Sequence, residues 1–182
     1  MLDHKAAARL PDRLRFTCNG REAEAGRIRL GEIDVAGRVL RVTDVAYGDG
    51  APPLPVRAPD GRHAVHAYRW DHPRGPINVC AVVAFGRQRL AVARRLVIAN
   101  APRPDLTAGI IVDHAEVRIS GTSDVTLPSG LGDGYYPVVG VYNFGLFVQA
   151  VVLDFEVGRR RNVVLLPGQE FDEFGIVRQV GP

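Results

Sequence analysis

The stretch SGLGDGYYPVVGVYNFGLFVQAVVLDF, from Ser129 to Phe155, decides the fold class. It opens with glycine and aspartate, which favour turns, and continues with two runs rich in valine and aromatic residues. The runs predict two strands, YYPVVGVYN and LFVQAVVLDF, joined by a tight turn near Asn143 to Gly145. Because nearly every position of Val148–Phe155 is apolar, we expect both faces of this strand to be buried at the centre of a sheet.

The same rhythm runs through the whole chain. Its 20 glycines and 13 prolines separate short runs of β-forming residues, which is typical of a sandwich or barrel. The sequence therefore predicts an all-β or β-dominated domain of many short, mostly antiparallel strands. Residues 1–20 are predicted to be an N-terminal arm or short helix, and 21–182 a single β-rich domain. The run NVCAVVAF predicts a second central strand, Val79–Phe85.

Three segments are less regular. QRLAVARRLVIA, residues 88–99, fits a strand or an arginine-rich helix, and the strand is favoured because the run ends in β-forming residues. APPLPVRAPDG, residues 51–61, carries too many prolines for a central strand and is predicted to be an extended surface loop. SGTSDVTLPSG, residues 120–130, is also predicted to be a loop.

An internal echo suggests a duplication. Gly-Asp-Gly occurs at 48–50 and again at 132–134, each time followed by a proline and later by a strand containing Ala-Val-Val. Two copies of one unit would give pseudo-symmetric halves, about 27–100 and 109–166. Coincidence is the alternative, because glycine and valine are abundant in this chain.

Composition narrows the function classes. The net charge is only +3, with Lys5 the one lysine, so we expect no nucleic-acid partner. No apolar run approaches the roughly 20 residues that cross a bilayer, so no membrane partner is expected. The opening MLDHKAAARLPDRLRF lacks the apolar core of a secretory signal. Cys18 and Cys80 form neither a disulfide framework nor a metal spacing. A cytoplasmic bacterial protein is the prediction.

The Gly-Asp-Gly at 132–134 is the first candidate site. It is predicted to be a turn before a strand, although an aspartate so placed also suits a cation or a hydroxyl ligand. Neighbouring strand residues face opposite sides, so one of Tyr135 and Tyr136 should lie in the core and the other should contact a partner. The predicted binding residues are Asp133, Tyr135, Tyr136 and Tyr142.

Catalytic candidates are fewer. Asp113 and His114 have serines nearby at 120 and 123, but no Gly-x-Ser-x-Gly motif anchors a triad. A hydrolase or metal-dependent enzyme would use Asp133 with Asp113 or His114. The carboxylates of Asp154 and Glu156 share a strand face and are predicted to be a solvated strand end.

The remaining polar clusters favour simpler interpretations. His63, His66 and His72 lie close in sequence, but strand residues three apart face opposite ways, so neither metal nor cofactor is expected. The arginines 159–161 precede an apolar run, RRRNVVLL, which predicts one more strand. This basic run is typical of a charged turn.

The GDGYYPVVGVYNFGLFVQAVVLDF block resembles the C-terminal signature of the bacterial domain-of-unknown-function family numbered 4241. The matching residues are Gly132, Asp133, Gly134, Tyr136, Pro137, Val138, Asp154 and Phe155. GEIDVAGRVLRVTD, which ends at Asp44, is similar to the opening segment of that family, and IIVDHA to its central segment. The glycine and small residues expected after Asp113 are missing, and the proline-rich loop replaces the first Tyr-Pro.

The resemblance implies a β-rich fold and supplies no catalytic residue. Small bacterial domains of this kind often occur near toxin systems, which implies a protein partner such as a toxin-like effector. The leading hypothesis is therefore a non-catalytic, immunity-like protein-binding module. The alternatives are the hydrolase or metal-dependent enzyme, and a small-ligand binder between two β halves. An exposed aromatic patch would favour the first hypothesis, and converging titratable groups in a pocket would favour the second.

Overall fold

A computed structural model describes one short helix and fourteen strands in the chain. The described residues are 1–45, 53–86, 90–95, 109–112, 115–132, 134–144, 147–157 and 166–179. The elements are α1 (His4–Ala8), β1 (Arg13–Cys18), β2 (Arg21–Val35), β3 (Val39–Asp44), β4 (Leu54–Arg57), β5 (Gly61–His72), β6 (Gly75–Ala84), β7 (Leu90–Arg95), β8 (Gly109–Val112), β9 (Glu116–Ser120), β10 (Asp124–Pro128), β11 (Gly134–Asn143), β12 (Val148–Asp154), β13 (Gln169–Phe171) and β14 (Val177–Gln179). The predicted all-β class with a short N-terminal helix is confirmed.

The larger sheet is antiparallel and follows the order β1-β2-β5-β6-β12-β11-β7, with β8 paired to the first half of β11. Strands β6 and β12 are flanked on both sides, and their pairing sets Val83 opposite Val151. Both strands are almost wholly buried, as expected for runs that are apolar at every position. The prediction that Val79–Phe85 and Val148–Phe155 are central is confirmed, and β7 confirms the strand interpretation of residues 88–99 over the part that is described.

A smaller antiparallel sheet follows the order β10-β9-β3-β4, and β13 pairs with β14 as a separate hairpin. The two main sheets supply apolar side chains to one hydrophobic core. The smaller sheet contributes Leu40, Val42, Val56, Val117, Ile119 and Leu127, and the larger contributes residues such as Tyr68, Val82, Val139 and Val152. A single shared core is what holds the smaller sheet in place.

Each predicted half supplies one hairpin to each sheet. The first half gives β3–β4 and β5–β6, the second gives β9–β10 and β11–β12, and the halves meet by direct pairing of β3 with β9 and of β6 with β12. The two Ala-Val-Val segments fall on the equivalent strands β6 and β12. The two Gly-Asp-Gly segments fall between β3 and β4 and between β10 and β11, so they are not equivalent. The duplication stays a prediction, now with a matching topology behind it.

The prediction that residues 51–61 form only a loop is wrong, because β4 lies within it as an edge strand. Ala58 donates its backbone N–H to the carbonyl of Arg38, directly opposite it. Antiparallel pairs alternate between bonded and non-bonded, so Pro55, three residues earlier, falls at a non-bonded position facing outward. Its missing N–H therefore removes no bond of the ladder, which is why an edge strand tolerates this proline.

The loop prediction for residues 120–130 is also wrong in its second half. Residues Gly121 to Ser123 form the turn, and Asp124–Pro128 returns as β10 against β9. The run Asp-Val-Thr-Leu-Pro alternates, with Leu127 buried and Thr126 exposed. This short alternation predicts a strand, and the polar residues that precede it obscured the pattern. The strand predicted for RRRNVVLL falls on residues 159–166, nearly all of them outside the described residues.

The N-terminal helix α1 packs against the inner strands of the larger sheet. Asp3 caps it by accepting the backbone N–H groups of Lys5 and Ala6, and its own residues Ala7 and Ala8 are buried. Its contacts are with β6, β7, β11 and β12. In the part of the chain that the structure describes, no helix is long or apolar enough to cross a membrane.

Candidate functional site

Two exposed aromatic side chains stand at the turn of the β11–β12 hairpin. The Phe144 side chain is 79% exposed and that of Phe147 is 70% exposed. Asn143 closes the turn twice: its backbone N–H donates to the Phe147 carbonyl at 3.0 Å, and its side-chain Oδ1 accepts the Phe147 N–H at 3.0 Å. Asn143 is itself buried. The phenylalanines, which we call the aromatic tip, are therefore presented by a hydrogen-bonded turn anchored in the sheet.

Tyr142 lies immediately below the aromatic tip and is half-buried. The register of β11 shifts at this residue against both neighbours, between Val141 and Tyr142 on the β12 side and between Tyr142 and Asn143 on the β7 side. Such irregularities re-aim side chains at the end of a ladder. Burial raises the pKa of the Tyr142 hydroxyl, and the positive charge of Arg94 on β7 offsets part of that rise. Tyr142, a predicted binding residue, thus precedes Phe144 by two residues at an irregular point of β11.

The other two predicted tyrosines begin β11 at the opposite end of the hairpin. Tyr136 is fully buried, packs edge-on against Phe155 at 5.3 Å between ring centroids, and donates its hydroxyl to the Gly132 carbonyl at 2.6 Å. Tyr135 is 46% exposed and lies over Gly109, where a Cβ atom would overlap its ring. The prediction that the two rings face opposite sides is confirmed. Tyr135 is the one that reaches the surface.

The turn before β11 has the conformation its glycine predicts. Gly132 has φ +91°, a left-handed value that favours glycine. Its carbonyl also accepts the Ser129 hydroxyl at 2.6 Å. Asp133, the candidate ligand-binding residue, lies outside the described residues.

Asp113 and His114 lie outside the described residues too. Their described neighbour Val112 is the register partner of Gly134, the residue that follows Asp133. The enzyme alternative built on Asp133 with Asp113 or His114 stays a prediction.

The three histidines have separate surroundings. His63 Nε2 lies 2.9 Å from the Pro59 carbonyl, and its ring packs edge-on against Phe85. Burial and the positive charges of Arg27 and Arg29 lower the pKa of His66. Among the described residues, no group of three or more His, Cys, Asp or Glu side chains is arranged to hold a metal ion.

His72 forms part of the attachment of the C-terminal hairpin. Its Nδ1 accepts the backbone N–H of Arg74 at 3.3 Å, and its Nε2 lies 3.1 Å from Asp172 Oδ2, an electrostatic contact without aligned hydrogen-bond geometry. Asp172 Oδ1 accepts the N–H groups of Phe174 and Ile176, both at 2.9 Å. These groups border an open cleft of about 370 Å³. Because both ring nitrogens of His72 already have partners, its role is to hold the C-terminal hairpin, β13–β14.

The interpretation of Asp154 as a solvated strand end is wrong. Its side chain is only 11% exposed, and Oδ2 lies 2.7 Å from Nε2 of His4 on α1. Oδ1 accepts the backbone N–H of Glu156 at 2.8 Å. Glu156 has φ +50°, so the chain turns away directly after the strand. Sequence reasoning missed this pair because 150 residues separate its members.

Sequence reasoning also missed the aromatic tip. The sequence predicts a turn at Asn143 to Gly145, which contains Phe144, and places Phe147 near the start of the strand that follows. The signal was present, since Phe144 lies in a predicted turn, where polar residues are usual.

Comparison of the chain with protein-family models, with curated proteins and with solved structures finds no match. The resemblance to the family numbered 4241 stays a prediction.

Proposed function

We propose that this chain is a non-catalytic protein-binding module that contacts its partner through the aromatic tip. The observation that carries the proposal is the exposure of Phe144 and Phe147, 79% and 70%. Phe144 directly follows β11 and Phe147 directly precedes β12. Large aromatic side chains are normally buried, and contiguous exposed ones mark interaction sites.

The turn that carries the tip supports the same proposal. Asn143 fixes the Phe147 backbone by two hydrogen bonds, so little main-chain freedom remains to be lost on binding. Burial of each ring would contribute about 1.5–3 kcal/mol, the size expected of an interface hot spot. Tyr142 lies next to the tip and would extend the contact surface.

The partner class follows from the family resemblance by association only. We propose a toxin-like effector or another protein of a bacterial cytoplasm, which makes the chain immunity-like. Both cysteines are free and buried, which suits a reducing compartment. Burial raises the pKa of the Cys18 and Cys80 thiols, so neither is activated for redox chemistry.

The test is a quantitative capture from lysate of the source cell. Wild-type protein and the double variant Phe144→Ser/Phe147→Ser are immobilised, and the proteins they retain are compared by mass spectrometry. We expect at least one protein to be retained by the wild type and lost from the variant. That protein, once purified, should bind the variant at least about tenfold more weakly, the equivalent of 1.4 kcal/mol.

The matched control is Leu166→Ser/Phe171→Ser, which removes two apolar side chains that are also exposed, 63% and 44%, but distant in sequence from the tip. This control should retain the partner with unchanged affinity. A partner that binds the tip variant and the wild type equally would contradict the proposal. Turnover of a substrate by the chain would contradict its non-catalytic part.

A further inference from the structure

A second surface, on the smaller sheet, is rich in arginine. Strand register pairs Val39 with Arg57 and Arg41 with Pro55, and directly opposed residues share a face. Leu40 and Val56 of the intervening pair are buried, so these four side chains form the outer face of β3 and β4. Arg41 and Arg57 are both exposed there.

Arg38 adds a third guanidinium at the turn that enters β3. Its φ is +58°, and its backbone is held on both sides: the N–H donates to Asp60 Oδ1 at 2.6 Å and the carbonyl accepts the Ala58 N–H at 3.0 Å. Because a left-handed conformation is unfavourable for arginine, these bonds are what keep the residue in this position.

The three arginines differ from six other arginines among the described residues. Ion pairs involve the arginines Arg13, Arg21, Arg27, Arg29, Arg62 and Arg118. Within the described ranges, the guanidinium groups of Arg38, Arg41 and Arg57 have no acidic partner. The nearby Asp60 directs one carboxylate oxygen to the backbone of Arg38. The surface therefore has an unneutralised positive charge.

The space between Arg38 and Arg57 is a cleft with an apolar floor. Its volume is about 500 Å³, and it is lined by Gly37, Arg38, Val39, Pro55, Val56 and Arg57. A ligand that fills it needs an apolar group flanked by anionic groups.

The edge of β4 offers backbone groups beside the cleft. In the described part of the chain, β4 pairs only with β3. By the alternation that turns Pro55 outward, the N–H and carbonyl of Arg57 also point away from β3. An extended chain can exchange two hydrogen bonds with such a residue. Pro55 limits the pairing to a short length, which prevents longer strand addition.

We propose that this surface, the β3–β4 basic face, docks an extended acidic segment of another protein. Glutamate or aspartate side chains of the segment would pair with Arg38 and Arg57, and an apolar side chain between them would cover Val39 and Pro55. Residues i, i+2 and i+4 of an extended chain lie on one side, so a segment with acidic residues at i and i+4 and an apolar residue at i+2 meets these requirements. Nucleic acid fits less well, because single strands bind by stacking on exposed aromatic side chains. None of the residues that line the cleft is aromatic. The inference does not depend on the aromatic tip.

The probe is a fluorescein-labelled heptapeptide with glutamate at positions 2 and 6, valine at position 4 and serine elsewhere, titrated with the full chain and followed by fluorescence anisotropy at 50 mM salt. We expect saturable binding that weakens at least about tenfold in Arg38→Gln/Arg57→Gln, because charge-assisted pairs are lost. The matched control is Arg15→Gln, an exposed arginine on edge strand β1, and it should bind as the wild type does. Phe144→Ser/Phe147→Ser should also bind normally, so failure of the proposed function and failure of this inference are distinguishable.

Three outcomes would overturn the inference. The first is absence of saturable binding. The second is that a peptide with glutamine in place of glutamate binds as tightly as the original peptide, or that Arg38→Gln/Arg57→Gln binds the original peptide as tightly as the wild type does. The third is tighter binding of a single-stranded DNA heptamer or displacement of the peptide by millimolar inorganic phosphate, which would assign the face to nucleic acid or to a free anion.

Discussion

The two ends of the β11–β12 hairpin use aromatic residues in opposite ways. At the end where β11 begins, Tyr136 and Phe155 are both fully buried and in edge-on contact. The Tyr136 hydroxyl is paired with the Gly132 carbonyl and the Asp154 carboxylate with His4. This closed end is a piece of core.

At the other end the same strands deliver Phe144 and Phe147 to solvent. Asn143 and Phe147 are still joined by two hydrogen bonds, so the exposed rings belong to a paired end of the hairpin. Aromatic content alone therefore does not separate core from exposed surface, since both ends have it. The depth at which a strand end lies in the sheets decides whether its aromatic rings are buried. The closed end is covered by α1 and by the segment before β11.

The largest effect should come from the closed end. Tyr136→Ala removes a fully buried ring, and we expect a loss of about 3–5 kcal/mol in the free energy of unfolding, as for other large aromatic deletions. Urea unfolding followed by tryptophan fluorescence measures it. Tyr136→Phe keeps the ring and loses only the bond to Gly132, so it should cost about 1 kcal/mol. A loss below 1 kcal/mol for the alanine variant would show that the closed end is not core.

Asp154→Ala should have the next largest effect. It removes the partner of His4 and the acceptor for the Glu156 N–H, and hydrogen bonds to a charged group contribute about 1.5–3 kcal/mol each at a protected site. The control is Asp12→Ala, which breaks the Arg27 pair at a carboxylate that is 90% exposed and should cost less than about 1 kcal/mol. Equal losses in the two variants would contradict the structural role of Asp154.

Gly132→Ala tests the turn that closes this end. No atom lies within 4 Å of the added Cβ, but φ is +91°, so the loss should be conformational and about 1 kcal/mol. Gly26→Ala is the control, because its Cβ meets nothing nearer than 4.0 Å and its φ is not left-handed. A thermal melt in which both variants match the wild type would mean that the turn bears no strain.

The smallest effect on stability should come from the aromatic tip. Phe144→Ser/Phe147→Ser should change the free energy of unfolding by no more than about 0.5 kcal/mol per site, as is usual for surface substitutions. The same urea experiment measures it, with Tyr136→Ala as the contrasting variant. A loss of several kcal/mol would mean that these rings pack in the folded chain, and the comparison between the two ends would collapse.

Local pattern was enough to predict the class of fold and its central strands. The runs around Val82 and Val152 are apolar on both faces, and a strand flanked on both sides is the structure that buries them. Pro55 misled the prediction for β4, because sequence does not say which backbone groups a strand turns outward. The partner of Asp154 could not be predicted from the sequence either, because its contact with His4 depends on tertiary structure.

The candidate site was predicted only in part. Strand alternation alone predicts that Tyr135 and Tyr136 face opposite sides, and the structure confirms it. The exposure of Phe144 and Phe147 depends on how far the hairpin extends past its neighbours, which periodicity does not encode. The β3–β4 basic face was missed because Arg38, Arg41 and Arg57 come together only through the register of two strands.

The contact between α1 and β12 has a consequence for how the chain folds. The carboxylate that His4 meets lies 150 residues further along the chain, and a five-residue helix is too short to persist alone. Contacts between residues so far apart in sequence raise the contact order of the fold, and folding slows as contact order rises. We therefore expect α1 to gain protection from protease late in folding, together with the strands that it contacts, β6, β7, β11 and β12.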